Sequence, residues 1–328
     1  MKTFISTIPF GAIDPYPINA LKDAGLDFRI NSFGRRLHPD EVASAIGDSE
    51  IVIAGTEPIT ADVMAQCPNL KAICRVGIGL DSVDLTAARR QGIAVSYTPD
   101  GPSPAVAELA VGLILDLLRG ATRTDRDMRQ GIWSRFAGKR IACSTIGILG
   151  VGRIGSRVIR HLSAGFPGVR ILANDVQPDP ALDGLVEWTD KPTLFRESDV
   201  ISLHLPLTPT TRNLISAETF EAVKESAVLI NTARGGIVNE DDLADALTAG
   251  KLRAAAVDVF EHEPYNGPLT KVENVVLTCH MGSMTEDCRA RMEIEATDEA
   301  IRFARGEAFR SPVPEEEYRL ALMSMEAK

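Results

Sequence analysis

Gly150-Val151-Gly152-Arg153-Ile154-Gly155 follows the apolar run Thr145–Leu149 and opens a helical pattern, with Asp175 lying about twenty residues past the last glycine. Glycines at these spacings permit a sharp strand-to-helix turn. They also let the backbone approach a pyrophosphate, whose charge then meets the free amides and positive dipole end of a helix beginning near Arg153. The six residues alone would also suit an ordinary tight turn. The strand before them, the helix after them and the acid at 175 together describe a dinucleotide site. A carboxylate there bonds ribose hydroxyls and repels a 2′-phosphate, and Val176-Gln177-Pro178 supply no cation to hold one, so the pattern favours NAD over NADP.

Outward from this motif, strands are expected near Thr145–Leu149, Val169–Asn174, Val200–Leu205, Ala227–Asn231, Ala254–Val257 and Val275–Thr278, with helices around Ile154–Ser163, Ala217–Val223 and Glu240–Ala249. That series predicts a six-strand doubly wound domain. Upstream, Thr3–Ile8, Asp27–Ile30, Glu50–Ala54, Lys71–Arg75 and Ile93–Val95 alternate with helical patterns, which implies a second, mainly parallel sheet covered on both faces. Between the halves lies the turn-rich hinge Thr98–Pro104. Its Ser103 and Pro104 suit the N-cap and first position of a helix running to Arg119 and ended by Gly120. That helix is apolar almost all round, so it is either a central core helix or also a joint between domains or subunits. A long helical pattern, Arg289–Arg305, and a charged tail close the chain.

A chain of 328 residues exceeds one ordinary core and fits two domains. The formal net charge is −10 with scattered Lys and Arg, which lacks the basic footprint needed to grip nucleic acid. The first residues carry too short an apolar run for a signal peptide, and the longest apolar segment, Ala105–Leu118, contains Glu108 and Asp116 and is too short to span a membrane. Cys67, Cys74, Cys143, Cys279 and Cys288 match no disulfide or zinc spacing. A reduced, cytoplasmic, metal-free protein with buried thiols is expected.

Three further segments follow predicted strands of the second series: Asn231–Gly236, Asp258–Pro264 and Thr278–Ser283. Doubly wound sheets bind ligands outside the carboxyl ends of their strands, so a cation, a carboxylate and an imidazole would face the cofactor crevice. That trio suits reduction of a 2-oxo acid or oxidation of a 2-hydroxy acid. His280 is the candidate acid-base. Glu263, fixed before Pro264, is the carboxylate that would favour its imidazolium. Arg234 offers a planar fork for a substrate carboxylate and for polarising the reacting oxygen. Singly, each has a plain alternative: a structural histidine, a surface ion pair, a loop charge. Only the combination points to chemistry. His38, His161 and His204 read as non-catalytic, with His161 on an exposed helix face.

From about Ile51 to Ala300 the sequence resembles the D-isomer-specific 2-hydroxyacid dehydrogenases. The motifs carrying the resemblance are GVGRIG (150–155), HLPLTPTTRNLI (204–215), NTARGGIVNEDDL (231–243), AAVDVFEHEP (255–264) and TCHMGS (278–283). The resemblance implies that Arg234, Glu263 and His280 are catalytic. It implies that Arg153 and Ile154 lie at the pyrophosphate, that Thr232 borders the nicotinamide half and that Asp258 holds the carboxamide. Gly150, Gly152, Gly155, Asp175, Pro206, Ala233, His280 and Gly282 complete the implied cofactor contacts. It further implies a Rossmann NAD-binding domain (101–287) inserted into a flavodoxin-like substrate domain (1–100 and 288–328), with NAD as cofactor and a homodimer as the assembly.

The loop Arg75–Asp81 ends a strand of the first domain, and its glycines could expose successive amides to an anion, or simply make a tight turn. In the family the backbone around Val76 and Gly77 would bind the substrate carboxylate. The chain looks most like 3-phosphoglycerate dehydrogenases of the short form without a regulatory domain. There an arginine matching Arg75, and one matching Arg135 that reaches in from the partner subunit, would help bind a far anionic group. Against a phosphorylated substrate, the Ile53–Glu57 segment has no cation where those enzymes have another arginine. The expected substrate is therefore 3-phosphoglycerate or a related anionic 2-hydroxy or 2-oxo acid. A hydroxypyruvate- or glyoxylate-type reductase and a non-enzymatic NAD-sensing regulator on the same scaffold are the alternatives.

Overall fold

The computed structural model describes residues 1–326, which divide into two compact units. The first comprises Met1–Pro102 and the chain from Met284 onward; the second is Ser103–Ser283. Each is built on a parallel sheet whose central strands are buried on both faces. Such strands read as continuous β-branched and aliphatic runs, as in Ile51–Ala54 and Val200–Leu203.

The first unit contains β1 (Lys2–Ile5), β2 (Asp27–Ile30), β3 (Ile51–Ala54), β4 (Ala72–Arg75) and β5 (Ala94–Ser96) in the order β2-β1-β3-β4-β5. This is the strand order of flavodoxin-like sheets. The chain returns to this unit through the helix Glu286–Ala304, which packs on β3 and β4 and buries Met292, Ala296 and Ala300. Arg289 and Glu293 form a buried pair on that helix at 2.6 Å, and Arg289 also donates to Thr7 Oγ1 and the Pro9 carbonyl. The charged tail is not an irregular end. It includes the helix Glu315–Glu326, whose Tyr318 and Ala321 pack against the core of the first unit, with the Arg89 guanidinium 3.6 Å from the Tyr318 ring.

The second unit has seven strands rather than six. β6 (Thr145–Leu149), β7 (Arg170–Asn174), β8 (Glu187–Trp188), β9 (Val200–Leu203), β10 (Val228–Asn231), β11 (Ala254–Val257) and β12 (Val275–Leu277) lie in the order β12-β11-β10-β9-β6-β7-β8. The added strand, β8, is a two-residue edge strand with no apolar run to announce it. The helix Ser103–Arg119 is a core element of this unit and packs on the helix Arg153–Gly165 and on β10 and β11. Gly120, in left-handed conformation, ends it and begins a second helix, Ala121–Arg129, in which no residue is buried. His161 is exposed, as expected. Among the cysteines, Cys67, Cys74 and Cys288 are buried, whereas Cys143 and Cys279 are exposed, so the expectation of buried thiols fails for those two.

Register places one row of residues across the sheet: Asn174, Leu149, Leu203, Asn231, Val257 and Leu277 are successive cross-strand partners. These strands are parallel, so the residue after each leaves the sheet at the same carboxyl edge. Those residues are Asp175, Gly150, His204, Thr232, Asp258 and Thr278.

Candidate active site

The glycine loop leaves β6 with Gly150 at φ 86°, and a Cβ there would lie 2.6 Å from the His204 carbonyl oxygen. A Cβ on Gly155 would lie 2.0 Å from the Gly150 carbonyl oxygen, so only glycine lets the helix Arg153–Gly165 sit this close to the strand. Gly152 differs: a Cβ there meets nothing within 4 Å. It also caps that helix without a side-chain hydrogen bond, so no capping side chain occupies the helix's first amides. Asp175 accepts from the Val151 amide at 2.6 Å and from Gln177 N at 2.9 Å, which ties the acid to the loop. Thr232 Oγ1 and His204 Nδ1, from neighbouring strand ends, are buried without a hydrogen-bond partner among the described residues. Open space over a helix start, a carboxylate at the next strand and two orphaned polar atoms on the same edge fit a dinucleotide lying along these strands.

Asp258 follows β11 and is 1% exposed. Its Oδ1 accepts from Thr278 Oγ1 at 2.6 Å and from Met281 N at 2.9 Å, and its Oδ2 accepts from Gly282 N at 2.9 Å. The His280 amide donates to the Asp258 carbonyl at 2.8 Å. One buried aspartate thus shapes the loop carrying His280, which holds a left-handed φ of 53°. The sequence offers no sign of this loop-holding role.

His280 Nδ1 lies 3.0 Å from Glu263 Oε1 and 2.9 Å from Oε2. Oε1 also accepts from Phe260 N at 3.1 Å, which anchors the carboxylate to its own loop. The side chains of His280 and Glu263 are 39% and 20% exposed, so the imidazole edge away from Glu263 is open. Arg234 is half-buried; its Nη1 donates to the Ala233 carbonyl at 2.6 Å and its own carbonyl accepts from Asn231 Nδ2 at 3.0 Å. Gly235 lets the Arg234 loop lie directly on the Glu263 loop, for a Cβ there would fall 2.0 Å from the Phe260 carbonyl carbon. Among the other expected cofactor residues, Ala233 is buried with its amide on Asn231 Oδ1, Ile154 packs partly into the core, and the Pro206 carbonyl accepts from Thr211 Oγ1.

In the first unit the residues expected at the substrate are engaged within the protein. Arg75 is 4% exposed, with Nε and Nη2 on the Gly79 carbonyl at 3.1 and 2.8 Å and Nη1 on the Ala54 carbonyl at 3.2 Å. The Val76 amide extends the sheet by donating to Ala54 O at 2.9 Å, and the Gly77 amide donates to Thr98 Oγ1 at 2.8 Å. Both expected amides thus have partners within the first unit. Glu57 is 2% exposed and accepts from Ser6 Oγ and from Gly55 N, which leaves a carboxylate where a cation would serve a phosphate. Arg135 is exposed in the second unit, beside Trp133, which is 78% exposed.

Residues 111–282 match the family described as D-isomer specific 2-hydroxyacid dehydrogenase, NAD binding domain. A hydroxypyruvate reductase of Thermotoga maritima is 38% identical over 273 residues, covering 81% of this chain and 88% of that protein. A D-3-phosphoglycerate dehydrogenase of Methanocaldococcus jannaschii is 37% identical over 279 residues, covering 83% of this chain but only 53% of that protein. Among solved structures, the D-lactate dehydrogenase of Aquifex aeolicus complexed with NAD and lactic acid superposes with a TM-score of 0.82 at 27% identity, covering 94% of this chain and 96% of that one. The chain belongs to the D-isomer specific 2-hydroxyacid dehydrogenase family and is an NAD-dependent oxidoreductase.

Proposed function

We propose that the chain reduces a short 2-oxo acid of the hydroxypyruvate or glyoxylate class with NADH, using His280, Glu263 and Arg234. NADH, when bound, supplies the hydride that reaches the substrate carbon. His280 Nε2 gives the proton to the carbonyl oxygen. Glu263 accepts from Nδ1–H and so fixes which ring nitrogen faces the substrate. Arg234 holds the substrate carboxylate with its planar fork and polarises the oxygen that receives the proton. Gly150, Gly152, Gly155 and the amides near Arg153 would hold the pyrophosphate, Asp175 the adenosine ribose, and Thr232 with His204 the orphaned atoms nearest the nicotinamide half. The observation that carries this assignment is the double contact of Glu263 with His280 Nδ1.

The substrate reading rests on Arg75. Its guanidinium holds the Gly79 carbonyl from inside. A buried Arg75 and a buried Glu57 supply no cation here for a distal phosphate, which favours a short acid over 3-phosphoglycerate. The test is a panel of hydroxypyruvate, glyoxylate and 3-phosphohydroxypyruvate, followed by NADH absorbance. The reading expects kcat/KM for one of the unphosphorylated acids to exceed that for the phosphorylated acid by about tenfold or more; the reverse order overturns it.

A homodimer in a reducing, cytoplasmic setting completes the proposal. Trp133, Ile132 and Met128, close together in sequence, are 78%, 48% and 52% exposed, and a second copy would cover them. All five thiols are free.

A further inference from the structure

The second half of the motif HLPLTPTTRNLI (204–215) contains none of the expected cofactor or substrate residues, yet its path is closely fixed. Thr208 N donates to Thr211 Oγ1 at 2.8 Å, Thr211 N donates to Thr208 Oγ1 at 3.2 Å, and Arg212 N donates to the Thr208 carbonyl at 2.9 Å. Asn213 then takes a left-handed φ of 52°. Its amide donates to the Gly236 carbonyl at 2.8 Å, and Ile215 N donates to the Ile237 carbonyl at 3.1 Å. The turn therefore ends alongside the chain that follows Arg234.

Arg212 is the side chain this turn projects. Its Nη1 donates to Glu261 Oε1 at 2.6 Å. A Cβ on Gly236 would lie 3.2 Å from the same Nη1 and 3.6 Å from Cζ, so the guanidinium lies over that glycine. One planar group thus spans two loops. It rests on the residue two places after Arg234 and grips the side chain two places before Glu263.

Both loops gain from such a brace. Arg234 is followed by Gly235 and Gly236, which carry no side chain to fix the loop's path and have the most backbone freedom to lose. On the other loop, the Glu261 amide donates to Glu240 Oε1 at 2.8 Å, at the start of a helix whose first turn also holds Asp241 and Asp242. Burial pushes the Glu240 carboxyl above its ordinary range, and the Glu261 carboxylate adds to the push. Negative charge is crowded at this turn, and the Arg212 guanidinium counters it. The side chains of Arg212 and Glu261 are 47% and 44% exposed, and ion pairs this open contribute little to folding stability. Their effect lies in where they hold the loops, because a small displacement of a catalytic group is costly to the rate.

We propose that Arg212 is a positioning residue for the reaction: by lying over Gly236 and holding Glu261, it keeps Arg234 in register with Glu263 and, through Glu263, with His280. The inference rests on the assignment of Arg234, Glu263 and His280 as the catalytic groups. Arg212 itself touches none of the reacting atoms in this account.

The test measures kcat/KM for whichever 2-oxo acid the wild type reduces fastest, the NADH dissociation constant and the urea midpoint. The variants are Arg212→Met, Arg212→Lys, Arg212→Glu and the charge swap Arg212→Glu with Glu261→Arg. Arg212→Met is expected to lower kcat/KM by about tenfold or more, with NADH affinity within about twofold of wild type and the urea midpoint unchanged. Arg212→Lys, which keeps the charge and loses the planar fork, falls between the two. Arg212→Glu sets two carboxylates against each other and loses more than Arg212→Met, and the charge swap recovers kcat/KM to within about threefold of wild type. That recovery is the readout a purely structural role would not give. The proposal is overturned if Arg212→Met keeps kcat/KM within about twofold of wild type, if its loss of activity runs in step with a fall in the urea midpoint, or if the charge swap recovers nothing. Arg234→Gln, assayed beside these, separates the two levels of the argument. Turnover lost there and kept in Arg212→Met removes only the role of Arg212, whereas turnover kept in Arg234→Gln removes the catalytic assignment and the proposal with it.

Discussion

Glu263 meets His280 with both carboxylate oxygens at one ring nitrogen, Nδ1, at 3.0 and 2.9 Å. The contact selects the tautomer and points Nε2 outward. Glu263→Gln preserves size but can present an amide N–H to Nδ1, which stabilises the opposite tautomer. We expect kcat to fall by about 10²-fold, within the range for a misplaced acid-base group, with NADH affinity unchanged. Steady-state kinetics with NADH fluorescence titration checks this; an unaltered kcat contradicts it.

Gly235 is where the Arg234 and Glu263 loops touch. Gly235→Ala drives a methyl to 2.0 Å from the Phe260 carbonyl carbon, a backbone atom that cannot move aside alone. Gly112, inside the helix Ser103–Arg119, has nothing within 4 Å of the place a methyl would take and serves as the control. Urea unfolding should show Gly235→Ala destabilised by about 1–3 kcal/mol and Gly112→Ala unchanged or stabilised by roughly 0.5–1 kcal/mol.

Arg75 shapes the 76–79 loop from inside, so its loss should act on every substrate alike. Arg75→Met is expected to lower kcat/KM by a similar factor, about tenfold, for hydroxypyruvate and for its phosphorylated counterpart. Loss confined to the phosphorylated acid would restore a direct role for the guanidinium.

Burial pushes the His204 imidazole down to about 4 from an ordinary value near 6.5, with Nε2 hydrogen-bonded to Ser202 Oγ at 2.9 Å. The folded protein therefore prefers the neutral ring more than the unfolded chain does. The associated stability is complete above about pH 6.5 and is lost as pH falls toward about 4, by at most about 3 kcal/mol. In urea midpoints across that interval His204→Gln should show a shallower decline than wild type; parallel curves would remove His204 from the account.

Legibility follows locality. The 150–155 loop is readable because Gly155 answers to a contact five residues back, at the Gly150 carbonyl, and because Asp175 directly follows the next strand, whereas Gly150 itself answers to the distant His204 carbonyl. Arg234, Glu263 and His280 are readable as strand-end residues, and register puts their strands side by side. What stays hidden depends on where a side chain turns. Arg75 is a cation in an apolar strand, and nothing local tells whether its guanidinium faces a ligand or a backbone carbonyl. Asp258 is expected at the cofactor, but its three donors come from residues 278, 281 and 282, far along the chain. The two-residue strand β8 and the amphipathic tail helix escape a sequence reading because neither carries a long apolar run.

The most direct test of the central claim is His280→Ala, with hydroxypyruvate or glyoxylate turnover and NADH affinity measured on the same preparation. The account predicts that kcat falls by about 10³-fold or more while the NADH dissociation constant stays within about twofold of wild type. Turnover near the wild-type level, or NADH binding lost in step with turnover, would contradict it.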